Sequence, residues 1–192
     1  MIYLVRHAQS TVNAGKRVEN ANDALLTEKG VEQALDFAHG FSQTPDLIVH
    51  SPLVRAVHTA RPLIDRFPDA VVETWDIHEF QMLGDATRKN TTLEERKVIC
   101  KEQYYSRNDL DFVHGKGAES FNQMLNRVDN MLARLKNIQA GKVVVVFTHE
   151  LFMKTALMRM NSLPINFETF INMEPIENMG VIVVPYHTGA AD

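Results

Sequence analysis

This chain has one cysteine, a small net charge and no long apolar run. Cys100 is the single cysteine, so an internal disulfide is excluded. The 20 basic and 24 acidic residues give a formal net charge of −4, which argues against a nucleic-acid binder that relies on bulk positive charge. No stretch approaches the roughly 18 apolar residues that a membrane-spanning helix needs. We therefore predict neither nucleic acid nor a membrane as a partner.

The length and composition are those of an ordinary globular domain. Hydrophobic residues make up 45% of the chain and charged residues 23%, which is typical of a soluble protein with a sizeable core. A length of 192 residues fits one domain, assigned to residues 1–192, with room for an insertion. The first residues lack the charged lead-in and apolar core of a signal peptide, which favours the cytoplasm.

Three short apolar runs each lead into polar residues with positive charge or an imidazole. Residues 2–5 are followed by Arg6-His7, residues 143–147 by Thr148-His149, and residues 47–49 lead through His50-Ser51-Pro52 to Arg55. Runs of this length are typical of buried strands. If the three strands are parallel neighbours, their carboxyl ends meet at one edge of a sheet, where open α/β sheets bind ligands.

Helical and extended patterns alternate along most of the chain. This alternation predicts an α/β fold, a three-layer α/β/α sandwich with a mostly parallel mixed sheet. The pattern breaks at about residues 80–118, which we interpret as a small helical insertion that caps the pocket. Helices are predicted over 27–40, 51–67, 92–105, 119–138 and 151–160, and further strands over 71–75, 170–173 and 181–184, the last two at an antiparallel edge.

Two arginines and two histidines at one edge favour a phosphate ester as ligand. Arg6 and Arg55 offer forked donors to the phosphoryl oxygens, and His149 offers another donor. His7 is then the natural nucleophile, forming a phosphohistidine that water hydrolyses. Glu79 follows the third strand, and a neighbouring phosphate dianion favours its protonated form, so it suits the general acid and later the base. Because the arginines neutralise the charge, we expect no metal and no cofactor.

Several motifs resemble the histidine phosphatase superfamily, also called phosphoglycerate mutase-like, in the order in which that family carries them. The resemblance covers residues 2 to about 160, and it implies an α/β fold and the same five site roles. It also implies phosphate contacts from Thr11 and Asn13. The motifs are residues 6–13 (RHAQSTVN), 26–30 (LTEKG) with Gln33-Ala34, 51–60 (SPLVRAVHTA), 77–79 (IHE) and Thr148-His149.

Two residues depart from the family pattern, which usually has glycine after each site histidine. Ala8 is a small change that an ordinary backbone conformation tolerates. Glu150 is a larger one, because a carboxylate near the site repels a phosphate dianion unless it points away or pairs with a cation. This residue places the choice of substrate and the strength of activity in question.

We therefore expect a metal-independent phosphomonoester hydrolase that acts on a small phosphorylated substrate or a phosphoprotein. A mutase-type phosphotransferase is the alternative, disfavoured because residues 80–84 carry no arginine after the acid glutamate, where the mutases of the superfamily have one. Glu150 leaves open a weakly active phosphate-binding or adaptor protein. The apolar C-terminal strands permit a homodimer without requiring one.

Other polar residues are assigned lesser roles. His50 and His58 are interpreted as structural or pocket-rim residues, and His39, His114 and His187 as solvated. Basic and aromatic residues of the insertion are candidates to contact the rest of a substrate, against the simpler interpretation of a solvated helix face. These are Arg88, Lys89, Lys97, Lys101, Tyr104 and Tyr105.

Overall fold

A computed structural model describes residues 1–184 and contains a five-stranded mixed sheet. The strands are β1 (Ile2–Arg6), β2 (Leu47–His50), β3 (Val71–Thr74), β4 (Val144–Thr148) and β5 (Val181–Val184). They stand in the order β3-β2-β4-β1-β5, with β1 to β4 parallel and β5 antiparallel to β1. The register pairs Arg6 with Thr148 and His50 with Phe147, so the residues that follow these strands leave the sheet at the same edge.

Helices connect the strands, and several of them begin at a side chain that caps the first turn. Thr27 accepts a hydrogen bond from the Gly30 N–H, and both Thr92 and Ser120 form complete capping boxes. Within residues 1–184 no helix combines the length and apolar character needed to cross a bilayer. The helices are α1 (Glu28–Gly40), α2 (Val54–Arg66), α3 (Asp85–Arg88), α4 (Leu93–Ile99), α5 (Phe121–Lys136), α6 (Glu150–Met160) and α7 (Phe167–Asn172).

Each face of the sheet is covered by its own hydrophobic core. Val5 and Ile48 point to the face packed by α1 and α2, whereas Leu4 and Val49 point to the face packed by α5, α6 and α7. Side chains of a strand alternate between faces, so a run of apolar residues fits a sheet buried on both sides. The predicted three-layer α/β fold with a mostly parallel sheet is confirmed.

Two predicted elements differ from the structure. Residues 170–173 are not a strand. Phe167 and Phe170 are both buried three residues apart, and Asn166 caps the helix by accepting from the Thr169 N–H at 2.8 Å. The apolar run was too short to separate a helix from a strand. Helix α2 begins at Val54 and not at Ser51, whose hydroxyl has other partners. His187 lies outside the described residues.

The segment between β3 and α5 carries α3, α4 and two further turns, over 100–104 and 105–107. Its two ends meet: Glu119 N–H donates to the Gln81 carbonyl at 2.9 Å, and Gln81 N–H donates to Oε1 of Glu119 at 3.0 Å. Arg127 of α5 secures this junction through an ion pair with Glu119 at 2.6 Å. The segment therefore leaves and rejoins the sandwich at one point; its role as a cap stays a prediction, as does the assignment of residues 1–192 to one domain.

Candidate active site

His7 follows β1 directly, and its ring is held in a single tautomer. Nδ1–H donates to the Ala8 carbonyl at 2.7 Å, and Nε2 accepts from Nε of Arg55 at 3.1 Å. Burial lowers the pKa of His7 well below the usual value of an imidazole, and the Arg55 charge adds to this effect. His7 is therefore neutral near pH 7, with the lone pair of Nε2 directed into the site.

His149 follows β4 and lies beside His7, with ring centroids 5.0 Å apart. Its Nε2 is 2.8 Å from Oγ of Ser51, which itself accepts from the Leu53 N–H at 3.2 Å. Oγ of Ser51 has no other acceptor within hydrogen-bond distance among residues 1–184, so we assign its proton to Nε2 and the ring proton of His149 to Nδ1. That atom is buried and has no partner among residues 1–184. Burial, followed by the Arg55 charge, lowers the pKa of His149 well below its usual value.

The two arginines each keep part of their guanidinium available. Arg55 also donates from Nη1 to the Ala21 carbonyl at 2.9 Å, and burial lowers its pKa to about 10, so it stays charged near pH 7. Arg6 uses Nη1 for the Ile176 carbonyl and for Glu150, whose Oε2 is 3.0 Å away. The Nε atom of Arg6 is buried with no partner within residues 1–184.

The carboxylate of Glu79 lies at the N-terminal end of α6, where the charges of Arg55 and Arg6 act on it. Its Oε1 accepts from the Phe80 N–H at 2.9 Å and from the Leu151 N–H at 3.2 Å. Burial raises the pKa of this carboxyl, and the charges of Arg55 and Arg6 oppose that shift without cancelling it. A buried carboxyl that holds its proton more tightly than usual is suited to general acid catalysis.

Thr11 and Asn13 occupy the loop after His7 but have different surroundings. Oδ1 of Asn13 accepts from the Ser10 N–H at 3.1 Å and from Nδ2 of Asn178 at 3.3 Å, so this oxygen organises the loop. Thr11 is tied by its backbone N–H to the Leu25 carbonyl at 2.9 Å. Its side chain lies on the wall of an open depression of about 790 Å³, together with Asn22 and Arg88.

Three residues that the sequence did not single out support the site. Thr59 accepts from the Ala8 N–H at 3.0 Å and donates to the Arg55 carbonyl at 2.6 Å, which ties the His7 loop to α2. Asn178 donates to the His7 carbonyl at 2.9 Å. Ser51 was predicted only as the start of a helix over 51–67, yet its place in the motif that also carries Arg55 was a signal for a role in the site.

The structure accommodates both departures from the family pattern. Ala8 is fully buried and its backbone is outside the left-handed region, so its methyl group adds no strain. Glu150 does not stand alone near the site, because it pairs with Arg6 and lies 3.5 Å from Nζ of Lys154.

The remaining candidates divide between pocket, surface and core. Arg88 reaches Oδ1 of Asn22 at 3.4 Å on the wall of the depression. Tyr104 is fully buried in the core, so the suggestion that it contacts substrate is wrong. Residues 1–184 contain no group of three His, Cys, Asp or Glu side chains placed to hold a metal ion. Solvent reaches Lys89, Lys97, Lys101, His39 and His58, and in part His50, His114 and Tyr105.

Comparison with known proteins gives relatives in several organisms. The chain is 30% identical over 154 residues to the metal-independent phosphoserine phosphatase of Arabidopsis thaliana, covering 77% of this chain and 63% of that protein. It is 27% identical over 174 residues to the adenosylcobalamin/alpha-ribazole phosphatase of Escherichia coli K12, covering 85% and 80%. The match spans just under two thirds of the first of these two relatives.

Solved structures share the fold. A phosphoserine phosphatase from Entamoeba histolytica, in complex with 3-phosphoglyceric acid, superposes with a TM-score of 0.72 at 22% identity, covering 94% of this chain and 87% of that one. A mycobacterial glucosyl-3-phosphoglycerate phosphatase gives 0.71 at 23% identity, covering 93% and 87%. The family described as histidine phosphatase superfamily (branch 1) matches residues 2–192, and the chain belongs to that family.

Proposed function

We propose that this protein is a phosphomonoester hydrolase that acts through a phosphohistidine on His7, with Glu79 as general acid and base. The observation that carries the proposal is the contact of Nε2 of His7 with Nε of Arg55, 3.1 Å apart, while the other ring nitrogen is bonded to the Ala8 carbonyl. The proposed nucleophile is thus in contact with a cation that can bind the phosphoryl group. The family membership and the phosphatases among the relatives support the same reaction.

Binding a phosphoryl group requires an exchange of hydrogen bonds. Nε of Arg55 leaves Nε2 of His7 and donates to a phosphoryl oxygen. The freed Nε2 can then attack the phosphorus atom of the same phosphoryl group. Nε of Arg6 and Nδ1–H of His149, both buried without partners among the described residues, supply further donors. Such preorganised donors stabilise the charge on the peripheral oxygens, which is the main requirement of phosphoryl transfer.

The transfer then proceeds in two steps. In the first, Nε2 of His7 forms a bond to phosphorus while the bond to the leaving oxygen breaks, and Glu79 gives its proton to that oxygen. In the second, a water oxygen attacks phosphorus, its proton passes to the Glu79 carboxylate and the bond between phosphorus and His7 breaks. The products are the alcohol and inorganic phosphate, and the enzyme returns to its starting protonation state.

The reaction needs no metal in this proposal, because the two guanidinium groups offset the phosphoryl charge. The name of the Arabidopsis relative, a metal-independent phosphoserine phosphatase, supports this point. The open depression of about 790 Å³ is lined by Thr11, in the loop that follows His7, and by none of the five proposed catalytic residues. The relatives named for phosphoserine and alpha-ribazole make a small phosphorylated substrate the first choice, with a phosphoprotein as the second. A cytoplasmic location and a homodimer stay predictions from the sequence.

The second candidate function is a phosphate-binding or adaptor protein with weak turnover. The ion pair between Arg6 and Glu150 at 3.0 Å favours it, because a carboxylate there competes with phosphate for one guanidinium nitrogen. Against it stand the raised pKa of Glu79 and the defined tautomer of His7, which a protein that only binds phosphate does not need.

Hydrolysis of p-nitrophenyl phosphate, with and without EDTA, tests the two candidates. We expect turnover that EDTA leaves unchanged and that His7→Ala abolishes. The matched control is His58→Ala, on the exposed side of α2, which should keep wild-type activity. Brief reaction with labelled substrate should leave acid-labile phosphate on the wild-type chain and none on His7→Ala. Absence of turnover on every phosphomonoester, with phosphate binding retained, would favour the adaptor.

A further inference from the structure

Lys154 is a buried ammonium group that the proposed reaction does not use. It lies on α6 and is 6% exposed, and its Nζ donates to the Met173 carbonyl at 3.0 Å. A buried charge is costly unless a charge of opposite sign lies close to it. The carboxylate that lies close is Glu150, one helical turn earlier, whose Oε1 is 3.5 Å from Nζ. The position of Lys154 is therefore linked to a residue of the phosphate site.

Glu150 stands between two cations. Its other oxygen, Oε2, is 3.0 Å from Nη1 of Arg6, so the three side chains form a row from Arg6 through Glu150 to Lys154. The row is largely shielded from solvent, with side-chain exposures of 11%, 21% and 8%. The two positive charges and one negative charge sum to +1, the charge that Arg6 alone would present. Without Lys154 the sum would be zero.

We propose that Lys154 is a positioning residue that offsets the charge of Glu150, so that Arg6 presents its full positive charge to a phosphoryl group. Glu150 and the Ile176 carbonyl hold Nη1 of Arg6, and this anchoring leaves the buried Nε of Arg6 unpartnered within residues 1–184. Glu150 thus supplies orientation, and Lys154 removes the electrostatic penalty of that orientation. The inference rests on the proposed function for the identity of the anion.

Calorimetric titration with inorganic phosphate, at fixed pH and ionic strength, tests the row without requiring turnover. Glu150→Gln raises the sum of charges to +2, so phosphate should bind more tightly by about three- to tenfold. Lys154→Met keeps the side-chain volume and lowers the sum to zero, so binding should weaken by about the same factor. The double variant restores +1, and its affinity should return to within about twofold of the wild type.

The double variant separates an electrostatic role from a structural one. Lost packing at Lys154 would lower the melting temperature in both variants that carry Met, and it would not be repaired by removing the Glu150 charge. Lys142→Met, which breaks an exposed pair with Asp46 just before β4 and at the opposite edge of the sheet, is the matched control and should leave phosphate affinity unchanged.

Two outcomes would overturn the inference. Weaker phosphate binding in Glu150→Gln would mean that orientation of Arg6 outweighs charge, and unchanged affinity in Lys154→Met would mean that Lys154 is only structural. If either result is found while the wild type hydrolyses p-nitrophenyl phosphate normally, it contradicts the role of Lys154 and leaves the proposed function standing. If the wild type does not hydrolyse p-nitrophenyl phosphate but the phosphate affinities of the variants change as expected, the result contradicts the proposed function and leaves the role of Lys154 standing.

Discussion

Nε of Arg55 donates to Nε2 of His7 at 3.1 Å, so one guanidinium restrains the proposed nucleophile, and its charge adds to burial in lowering the pKa of that ring. The contact aligns the imidazole through a side chain of the protein itself. In the proposed reaction Arg55 has two successive partners, the His7 ring first and a phosphoryl oxygen afterwards. Forked geometry as well as charge is needed for that exchange.

Arg55→Lys should therefore lower kcat/KM for p-nitrophenyl phosphate by roughly 10²- to 10³-fold, the usual cost of one preorganised donor to a developing charge. A lysine keeps the charge, but its donors share one nitrogen, so it cannot replace both Nε at His7 and Nη1 at the Ala21 carbonyl, 2.9 Å away. Arg61→Lys, on the exposed side of the same helix, is the control and should be silent. A loss below about threefold in Arg55→Lys would remove the guanidinium from the reaction.

The contact between Ser51 and His149, at 2.8 Å, makes a different prediction. Ser51→Ala removes the group that assigns the ring proton to Nδ1, so a fraction of the rings will carry it on Nε2 and will have no donor for phosphate. We expect kcat to fall roughly tenfold, as for other partners that orient a site histidine. Nitrogen-15 shifts of the His149 ring report the tautomer directly. The same change at Ser42, in an exposed loop, serves as control, and an unchanged tautomer in Ser51→Ala would contradict the assignment.

The raised pKa of Glu79 predicts the pH dependence of hydrolysis. The acid works only while protonated, so kcat for ethyl phosphate should decline as pH rises through the pKa of Glu79, which lies above the usual value of about 4.3. Glu79→Gln should slow ethyl phosphate strongly and abolish this decline. The activated p-nitrophenolate leaves without a proton, so p-nitrophenyl phosphate should be slowed less. Equal slowing of both substrates would take the acid role from Glu79.

The sheet and its polar edge could be predicted because the signals are local. Val143–Phe147 and Ile2–Val5 are apolar runs of strand length, and the polar residues that follow them must leave the sheet where the strands end. Parallel order then brings Arg6 and His149 together without further information. The apolar stretch near Phe170 was interpreted wrongly, because its helical spacing is visible only when Phe167 is included.

The supporting contacts of the site could not be predicted, because they join residues far apart in the chain. Thr59 reaches the Ala8 N–H, Asn178 reaches the His7 carbonyl and Lys154 approaches Glu150. Thr59 lies in the motif at 51–60, which does not reveal its partner, and nothing in the local sequence of Asn178 or Lys154 distinguishes them from ordinary polar residues. The charge of Glu150 was visible in the sequence, but its two cationic neighbours depend on the fold. Such residues follow from tertiary packing and not from a motif.

Gly30 makes the last prediction, and its sign is opposite to that expected of a helix. Alanine in a helix interior usually stabilises a protein relative to glycine by about 0.5–1 kcal/mol. A Cβ at Gly30 would lie 2.0 Å from the carbonyl oxygen of Gln9, which also accepts from the Thr27 N–H at 3.0 Å. Helix α1 and the loop after His7 must then move apart.

Gly30→Ala should lower the free energy of unfolding in urea by about 1–3 kcal/mol, the usual cost of overpacking. It should also lower kcat/KM, because Gln9 is two residues from His7, the proposed nucleophile, and the Gln9 N–H is held by Gln33 at 2.9 Å. Gly40→Ala, at the end of the same helix with open space around the added methyl group, is the matched control. It should be neutral or stabilising by up to about 1 kcal/mol with activity unchanged. Equal stability of the two variants would mean that α1 does not press against the His7 loop.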